Sequence, residues 1–171
     1  LNELDKVVSG LQIVGQQASL RGVTFNQASV SGDTVAAYIN DAPTRGNLLF
    51  TSTFDVGQIE VLRGPQGTLR GIAAPSGAIT VTTRRADLHD FGGTANASVN
   101  DHHGYNLQAG VSIPIIRDML AVRLAGLIDY TDAGGVRSVT NPRRPRQDTK
   151  AARISVRFEP ASNLNFNVMY H

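Results

Sequence analysis

The sequence predicts a mixed α+β region followed by a run of antiparallel β-strands, each with one apolar and one polar face. The first region, residues 1–87, opens with apolar residues at helical spacing and continues with apolar runs of strand length that end at glycine or proline. The second region, residues 91–171, alternates apolar and polar residues with a period of two over five segments. We therefore expect two domains with different architectures.

The composition is that of a folded protein. Of the 171 residues, 41% are hydrophobic and 18% are charged, and the formal net charge of +2 is too small to indicate nucleic acid as a partner. There is no cysteine, so disulfides and thiolate metal sites are excluded. No apolar run reaches the length of a transmembrane helix, but transmembrane β-strands alternate and are not excluded. Because the chain shows neither a signal peptide nor an initiating Met, we expect its N-terminus to have been cut away.

The first region begins with a predicted helix and continues as strands. Leu4, Val7 and Val8 are spaced for one apolar helical face, and Ser9-Gly10 ends that helix. Residues 40–43, Asn-Asp-Ala-Pro, have turn chemistry, and residues 44–53 read as an exposed loop in which the apolar residues 48–50 are either the tip or an anchor. The predicted strands are 12–14, 17–23, 34–39, 59–62 and 78–82.

A glycine-punctuated stretch connects the last two of these strands. One apolar strand stops at Gly64-Pro65, and a β-branched strand begins after Gly77, with further glycines between them. Such spacing means sharp turns or close approach of the backbone to another surface. A phosphate-binding loop would need Lys and a hydroxyl residue after Gly71, where Ile72-Ala73 stand, so that interpretation fails. On glycine spacing alone, a structural hairpin loop of an ordinary globular domain is the plain alternative.

The whole stretch closely resembles the plug-domain signature of TonB-dependent outer-membrane receptors. The match runs unbroken from Glu60 to Leu69 and resumes at Gly77-Ala78-Ile79. Arg70 stands where the family usually has an aromatic residue, and Pro75-Ser76 where it usually has small residues or Gly, so the loop shape differs locally. The signature residues carried over are Glu60, Gly64, Pro65, Gly67, Gly71 and Gly77.

The resemblance implies roles for residues outside the signature. Arg21 and Arg63, each in a Leu-Arg-Gly tripeptide, fall on the plug arginines that form ion pairs with glutamates of the barrel wall. The alternative is that both are ordinary solvated arginines at strand ends. The loop over 44–53 corresponds to an apical plug loop that touches the ligand, with Arg45, Asn47, Leu48 and Phe50 as the candidate contacts.

The five alternating segments of the second region fit the first strands of a transmembrane barrel. Their connections are alternately short, at 116–118 and 159–163, and long, at 131–149, as in outer-membrane barrels. A soluble antiparallel sheet with one wet face would give the same alternation. If lipid covers the apolar face, the charged residues on the other face point into the lumen; these are Arg123, Asp129, Arg153 and Arg157.

Five strands cannot close a barrel, so the chain is expected to be a fragment, with an α+β plug at 1–87 and an incomplete barrel at 91–171. The family resemblance implies energised uptake of a scarce ligand, most often a ferric siderophore, at the bacterial outer membrane. The expected partners are a TonB-type protein, acting through a segment absent from this chain, the ligand and outer-membrane lipid. We expect no catalysis, cofactor, resident metal or nucleic acid. The alternative is a soluble all-β binding or adhesion module.

Overall fold

The computed structural model describes residues 4–14, 17–20, 22–24, 35–45, 49, 53–65, 76–100, 104–132 and 146–171. The chain divides into two compact units, a first unit of Leu1–Arg84 and a second unit of Arg85–His171. Among the described residues, no helix is both long enough and apolar enough to cross a membrane.

The first unit contains two β-sheets. Its elements are a 3₁₀ helix (Leu4–Lys6) and strands β1 (Leu11–Val14), β2 (Gln17–Leu20), β3 (Val23–Thr24), β4 (Val35–Ile39), β5 (Ala42–Thr44), β6 (Val56–Arg63) and β7 (Gly77–Thr83). Strands β1, β2 and β3 form an antiparallel sheet in chain order, and the other sheet has the order β5-β4-β7-β6. Strands β4 and β7 are parallel to each other and almost completely buried. Burial on both faces explains why residues 34–39 form a continuous apolar run instead of alternating.

The main core cluster of the first unit is aliphatic. Its buried members are Leu11, Leu20, Val35, Ala37, Leu49, Ile79 and Val81. Leu49, in the predicted exposed loop, is 0% exposed and therefore anchors that loop to the core. The neighbouring Leu48 and Phe50 lie outside the described residues.

The connection between β4 and β5 is a tight turn that the sequence chemistry predicts correctly. Asn40 and Asp41 both have positive φ, 49° and 65°, as a two-residue type I′ hairpin requires. The Asn40 side chain also donates to Thr83 Oγ1 at 3.0 Å and accepts the Thr83 N–H at 2.9 Å. These two hydrogen bonds connect the turn to the end of β7.

The predicted helix at the start of the chain is partly confirmed, because a short 3₁₀ helix, Leu4–Lys6, lies there and the helical turn ends before Gly10 as expected. The helical hydrogen bonds are those from the Val7 and Val8 amides to the Leu4 carbonyl, and Gly10 at φ 82° then redirects the chain into β1. Residues 11–14 then pair with β2, in agreement with the strand predicted at 12–14. Within residues 4–14, the helical part is confined to one short turn.

The second unit is a five-stranded antiparallel meander. Its strands are β8 (Gly92–Val99), β9 (Tyr105–Ile116), β10 (Leu120–Asp132), β11 (Arg146–Ala161) and β12 (Leu164–Tyr170), and their order in the sheet is the chain order. Short turns connect β9 to β10 and β11 to β12, whereas residues 133–145 separate β10 from β11. These three connections have the predicted lengths, whereas the connection from β8 to β9, residues 100–104, is short and is an exception to the alternation.

Register places the alternating residues of all five strands on two consistent faces. Opposite Leu124 lie Val111 on β9 and Ile154 on β11, and opposite Arg123 lie Ser112 and Ser155. The aliphatic side chains of the first face are exposed, with Leu124, Ile128 and Ile154 each more than 40% accessible. We call this the apolar face and the opposite one the polar face.

Candidate functional site

The hairpin of β6 and β7 carries the described part of the signature and has a structural role. Glu60 lies opposite Thr80 in the ladder and accepts a hydrogen bond from Gln58 Nε2 at 2.8 Å on the exposed side. The Gly64 amide donates to the Ser76 carbonyl at 3.2 Å, which continues the pairing beyond the strand ends. Pro65 follows, and Gly67 and Gly71 lie outside the described residues.

Two of the signature glycines have backbone conformations that side chains rarely adopt. Gly64 has φ 93°, and an added Cβ there would meet nothing within 4 Å. Gly77 has φ 145°, and its Cβ would lie 2.3 Å from the Leu62 carbonyl oxygen and 2.6 Å from Leu20 Cδ2. Gly77 therefore allows β7 to lie directly against β6 and the core, as glycine spacing alone indicates.

The predicted arginine pair is described at one position. Arg63 is the last residue of β6, opposite Gly77, and it is exposed. Arg21 lies outside the described residues, as do Asn47, Leu48 and Phe50 of the predicted ligand loop. Arg45 is exposed, and its carbonyl accepts the Leu49 amide at 3.3 Å, which connects it to the buried anchor.

The four charged residues predicted to share one face of the second region do share it. Arg123 is 5% exposed, and its two terminal nitrogens donate to Ser112 Oγ at 2.9 Å and to Thr94 Oγ1 at 3.3 Å. Arg153 is 4% exposed and lies opposite Ala125 on the neighbouring strand. A band of buried guanidinium groups thus runs across the polar face.

Two further polar clusters lie on this face. Asp129 accepts a hydrogen bond from Asn106 Nδ2 at 2.8 Å, and Asn106 in turn accepts one from Gln108. Arg157 Nε donates to Glu159 at 2.8 Å, and Asn165 donates to the same carboxylate. The hydrogen-bond partners of the four charged residues were not predicted from the sequence. Once the strand register is known, Ser112 and Thr94 fall on the same face as Arg123.

Aromatic pairs bound the apolar face at two levels. Tyr105 and Tyr130 stack with centroids 5.5 Å apart at the end near residues 133–145, and Phe158 and Phe166 stack at 6.2 Å near the short turn. Tyr170 is the last residue of β12 and lies opposite Ile154.

An open groove of 750 Å³ crosses the apolar face between these levels. Small residues at equivalent positions form its floor, since Ala95, Ala109, Gly126 and Ala152 follow one another across four strands. The lining is mostly apolar, with Lys150 opposite Ile128 as a charged residue. Within the described ranges, no three His, Cys, Asp or Glu side chains are grouped so that they could hold a metal ion.

The turn that precedes β8 contains Asp87, a carboxylate whose pKa is shifted by hydrogen bonds from the backbone. The backbone N–H groups of His89 and Asp90 donate to Asp87 Oδ1 at 2.9 and 3.2 Å, and they hold the pKa of this carboxyl below its ordinary value. Stability gained from a lowered pKa is fully present above the unfolded pKa, about 4, and is lost as the pH falls through the folded pKa.

We therefore expect amide protection at His89 and Asp90 to be constant above about pH 5 and to fall in acid as Asp87 is protonated. Amide exchange measured by NMR as a function of pH checks this. The variant Asp87→Asn keeps an acceptor oxygen and should remove the pH dependence. A titration of Asp87 at or above the value of a free aspartate would contradict the assignment.

Comparison with known proteins is consistent with the plug signature. Residues 1–78 match the family described as the TonB-dependent Receptor Plug Domain. Over 161 residues, the chain is 29% identical to the Pesticin receptor of Yersinia pestis, and this alignment covers 91% of this chain and 23% of that receptor. Over 128 residues, the chain is 30% identical to the Catecholate siderophore receptor Fiu of Escherichia coli strain K12, and this alignment covers 69% of this chain and 16% of that receptor.

A solved structure gives the same result for the fold. The ferric yersiniabactin uptake receptor FyuA from Yersinia pestis superposes with a TM-score of 0.77 at 25% identity, over 93% of this chain and 26% of that one. The chain thus spans about a quarter of the length of the two Yersinia relatives and 16% of the length of Fiu, and all of these relatives are receptors and not enzymes. The chain is accordingly related to the TonB-dependent receptors of the bacterial outer membrane, and residues 1–78 match the plug domain of that family.

Proposed function

We propose that this chain supplies the plug, at 1–87, and the first five barrel strands, at 91–171, of a receptor that takes up a ferric siderophore. A TonB-type protein would supply the energy through a segment preceding the plug. The observation that carries the proposal is the pair of unlike faces of the β8–β12 sheet. Exposed aliphatic side chains cover one face, and a hydrogen-bonded band of arginine, serine and threonine covers the other.

The dimensions of the apolar face match a bilayer. Tyr130 follows Leu120 by ten residues on β10, and Leu120 lies opposite Phe158. Ten residues of an antiparallel strand extend about 34 Å, and a tilt of about 40° reduces this to a height of about 26 Å. The apolar band of outer-membrane barrels is about 25 Å tall and is flanked by aromatic girdles. The stacked tyrosines and phenylalanines would then stand at its two borders.

The polar face would line the lumen, with Arg123, Asp129, Arg153 and Arg157 directed inward. Within this arrangement, Arg21 and Arg63 would pair with carboxylates of the barrel wall and help to retain or release the plug. The loop with Arg45, Asn47, Leu48 and Phe50 would meet the ligand from the outer side. Its buried anchor Leu49 would fix the base of that loop while the tip stays accessible.

A ferric siderophore is the ligand class that the relatives favour. The relatives named above are receptors for a catecholate siderophore and for ferric yersiniabactin. A soluble all-β module is disfavoured because it would leave the leucine, isoleucine and valine side chains of the apolar face exposed to water.

The test is iron uptake by cells that carry the full receptor. Iron-limited cells supplied with radioactive ferric enterobactin or ferric yersiniabactin should accumulate iron from one of the two, and the uptake should cease when the TonB-type protein is deleted. The double variant Arg21→Ala/Arg63→Ala should lower uptake or plug retention. Uptake that is absent for both siderophores, or that persists without the energy-transducing protein, would contradict the proposal.

A further inference from the structure

We infer that the outer border, which is the end of the apolar face near residues 133–145, binds a phosphorylated glycolipid of the outer leaflet. Its phosphates contact Lys150 and Arg146, and one acyl chain lies in the groove of the apolar face. The inference rests on the proposed function for the membrane location of the sheet and goes beyond it by naming a lipid partner. It follows from a basic residue on the lipid-facing surface, from the groove beside that residue, and from the charges around it.

Lys150 is a charged residue on the apolar face, one rung inside the level of the stacked tyrosines. It lies opposite Ile128 on β10, whereas Asp148 lies opposite Tyr130. The Lys150 side chain is 71% exposed, and its ammonium lies 3.8 Å from Asp148 Oδ2, so the side chain extends toward the outer border. An ionisable residue on a membrane-facing surface costs free energy and is by default a candidate for a functional contact. Lys150 is therefore placed to bind an anionic headgroup.

Further polar groups and an aromatic pair surround the same border. Tyr105 and Tyr130 stack with centroids 5.5 Å apart, and the Tyr130 hydroxyl donates to Asp132 Oδ1 at 3.0 Å. Arg146 lies opposite Asp132 and is exposed. The sequence between these two residues, 133–145, contains three arginines and no acidic residue, so this end of the strands carries net positive charge. Such charge favours lipids that carry phosphate.

The spacing of the two basic residues favours a large headgroup with two phosphates. Arg146 and Lys150 are four residues apart on β11, on the same face, so their backbones are about 14 Å apart. This separation is comparable to the length of a disaccharide with a phosphate at each end and exceeds that of a single phosphate. The stacked tyrosines between the two levels offer a flat amphipathic surface to a sugar ring. A phosphorylated glycolipid thus fits this border better than a phospholipid does.

The groove would take one acyl chain of this lipid. Lys150 and Ile128 line the groove together with Gly126, Ala109 and Ala152, which lie one rung farther from the outer border. Side chains this small leave a depression in a face that otherwise carries exposed leucine and isoleucine. A cation therefore lies at the mouth of an apolar depression, which matches a lipid with an anionic headgroup and a hydrocarbon chain.

Completion of the barrel preserves this surface. Strands β9 and β10 already have a partner strand on each side within this chain. The side chains of one face project away from the sheet, perpendicular to the direction in which strands pair. A further strand beside β11 would therefore extend the surface sideways and leave Lys150 and the groove directed toward the membrane.

The test is lipid binding by the full receptor in detergent, measured by native mass spectrometry. The probes are lipid A with two phosphates, the same lipid without phosphates, and phosphatidylethanolamine. The wild type should bind the phosphorylated lipid A at least about tenfold more tightly than either of the other lipids. In Arg146→Gln/Lys150→Gln this preference should be lost. Arg117→Gln, which removes an exposed cation at the turn between β9 and β10, should match the wild type.

Gly126→Leu tests the groove separately. An added Cβ at Gly126 would meet the Ala151 carbonyl oxygen at 3.9 Å, an ordinary contact, so a larger side chain can fill the groove without displacing the sheet. This variant should weaken binding of both forms of lipid A by a similar factor, about tenfold if two methylene groups lose their contact. The preference for phosphate should remain.

Equal affinities of the wild type for the three lipids would overturn the inference, as would a phosphate preference that survives in Arg146→Gln/Lys150→Gln. Unchanged lipid affinity in Gly126→Leu, or a receptor dimer in place of the lipid complex, would also contradict it. A receptor that binds lipid A as expected but takes up no siderophore would count against the proposed function alone. Uptake without any lipid preference would count against this inference alone.

Discussion

Gly77→Ala is expected to destabilise the plug by about 3 kcal/mol or more. Its φ of 145° lies in a region that is essentially confined to glycine, which costs about 1–3 kcal/mol for another residue. The added Cβ would also lie 2.3 Å from the Leu62 carbonyl oxygen, a backbone atom that can move only with β6. Overpacking of this kind costs about a further 1–3 kcal/mol. We expect the plug melting temperature in the full receptor to fall by more than about 10 °C.

Gly64→Ala is the matched control, because Gly64 also has positive φ but has open space where the Cβ would stand. It should show the conformational cost alone, about 1–2 kcal/mol. The comparison separates backbone strain from steric contact. Equal melting temperatures for the two variants would mean that the contact with β6 relaxes without cost and that the close packing of this hairpin has no structural role.

Leu124→Arg is expected to destabilise the β8–β12 sheet in a bilayer by about 2–4 kcal/mol, because Leu124 lies midway between the two aromatic levels of the apolar face. The guanidinium would replace an exposed aliphatic group where hydrocarbon surrounds the barrel. Reversible unfolding of the receptor from phospholipid vesicles by denaturant measures this difference. On a sheet surrounded by water, the same surface substitution would change stability by less than about 0.5 kcal/mol.

The control is Val99→Arg, at the end of β8 and opposite Tyr105, one of the stacked tyrosines. At that depth, the cost should fall to about 0–1 kcal/mol. Because both variants introduce the same charge, the difference between their losses of unfolding free energy reports how deep each position lies in the membrane. Two small and equal costs would favour the soluble alternative over a transmembrane sheet.

The sequence predicts those features of the fold that depend on local chemistry. Positive φ at Asn40 follows from an Asn-Asp pair in a turn, and the strands on either side of Gly64 and Gly77 follow from β-branched residues interrupted by glycine. The sharing of one face by Arg123 and Arg153 follows from the two-residue period and the mutual register of antiparallel neighbours.

Features that depend on tertiary pairing could not be predicted. The level of Tyr170 depends on the register of β12 against β11, which the chain's own alternation cannot specify. The plug hairpin could be predicted because its signature is local in the sequence. The hydrogen bond from Arg157 to Ala86 joins residues far apart in the chain, so no local sequence pattern predicts it.

The parallel pairing of β4 with β7 has a kinetic consequence. Val35 meets Gly77 only after the intervening β5 and β6 have been placed, so this contact closes a long loop before it contributes any stability. Each strand of the second unit, by contrast, pairs with its successor and can zip up as a series of hairpins. We therefore expect docking of β4 to limit the folding rate of the plug, and substitutions in β4 to slow that step alone.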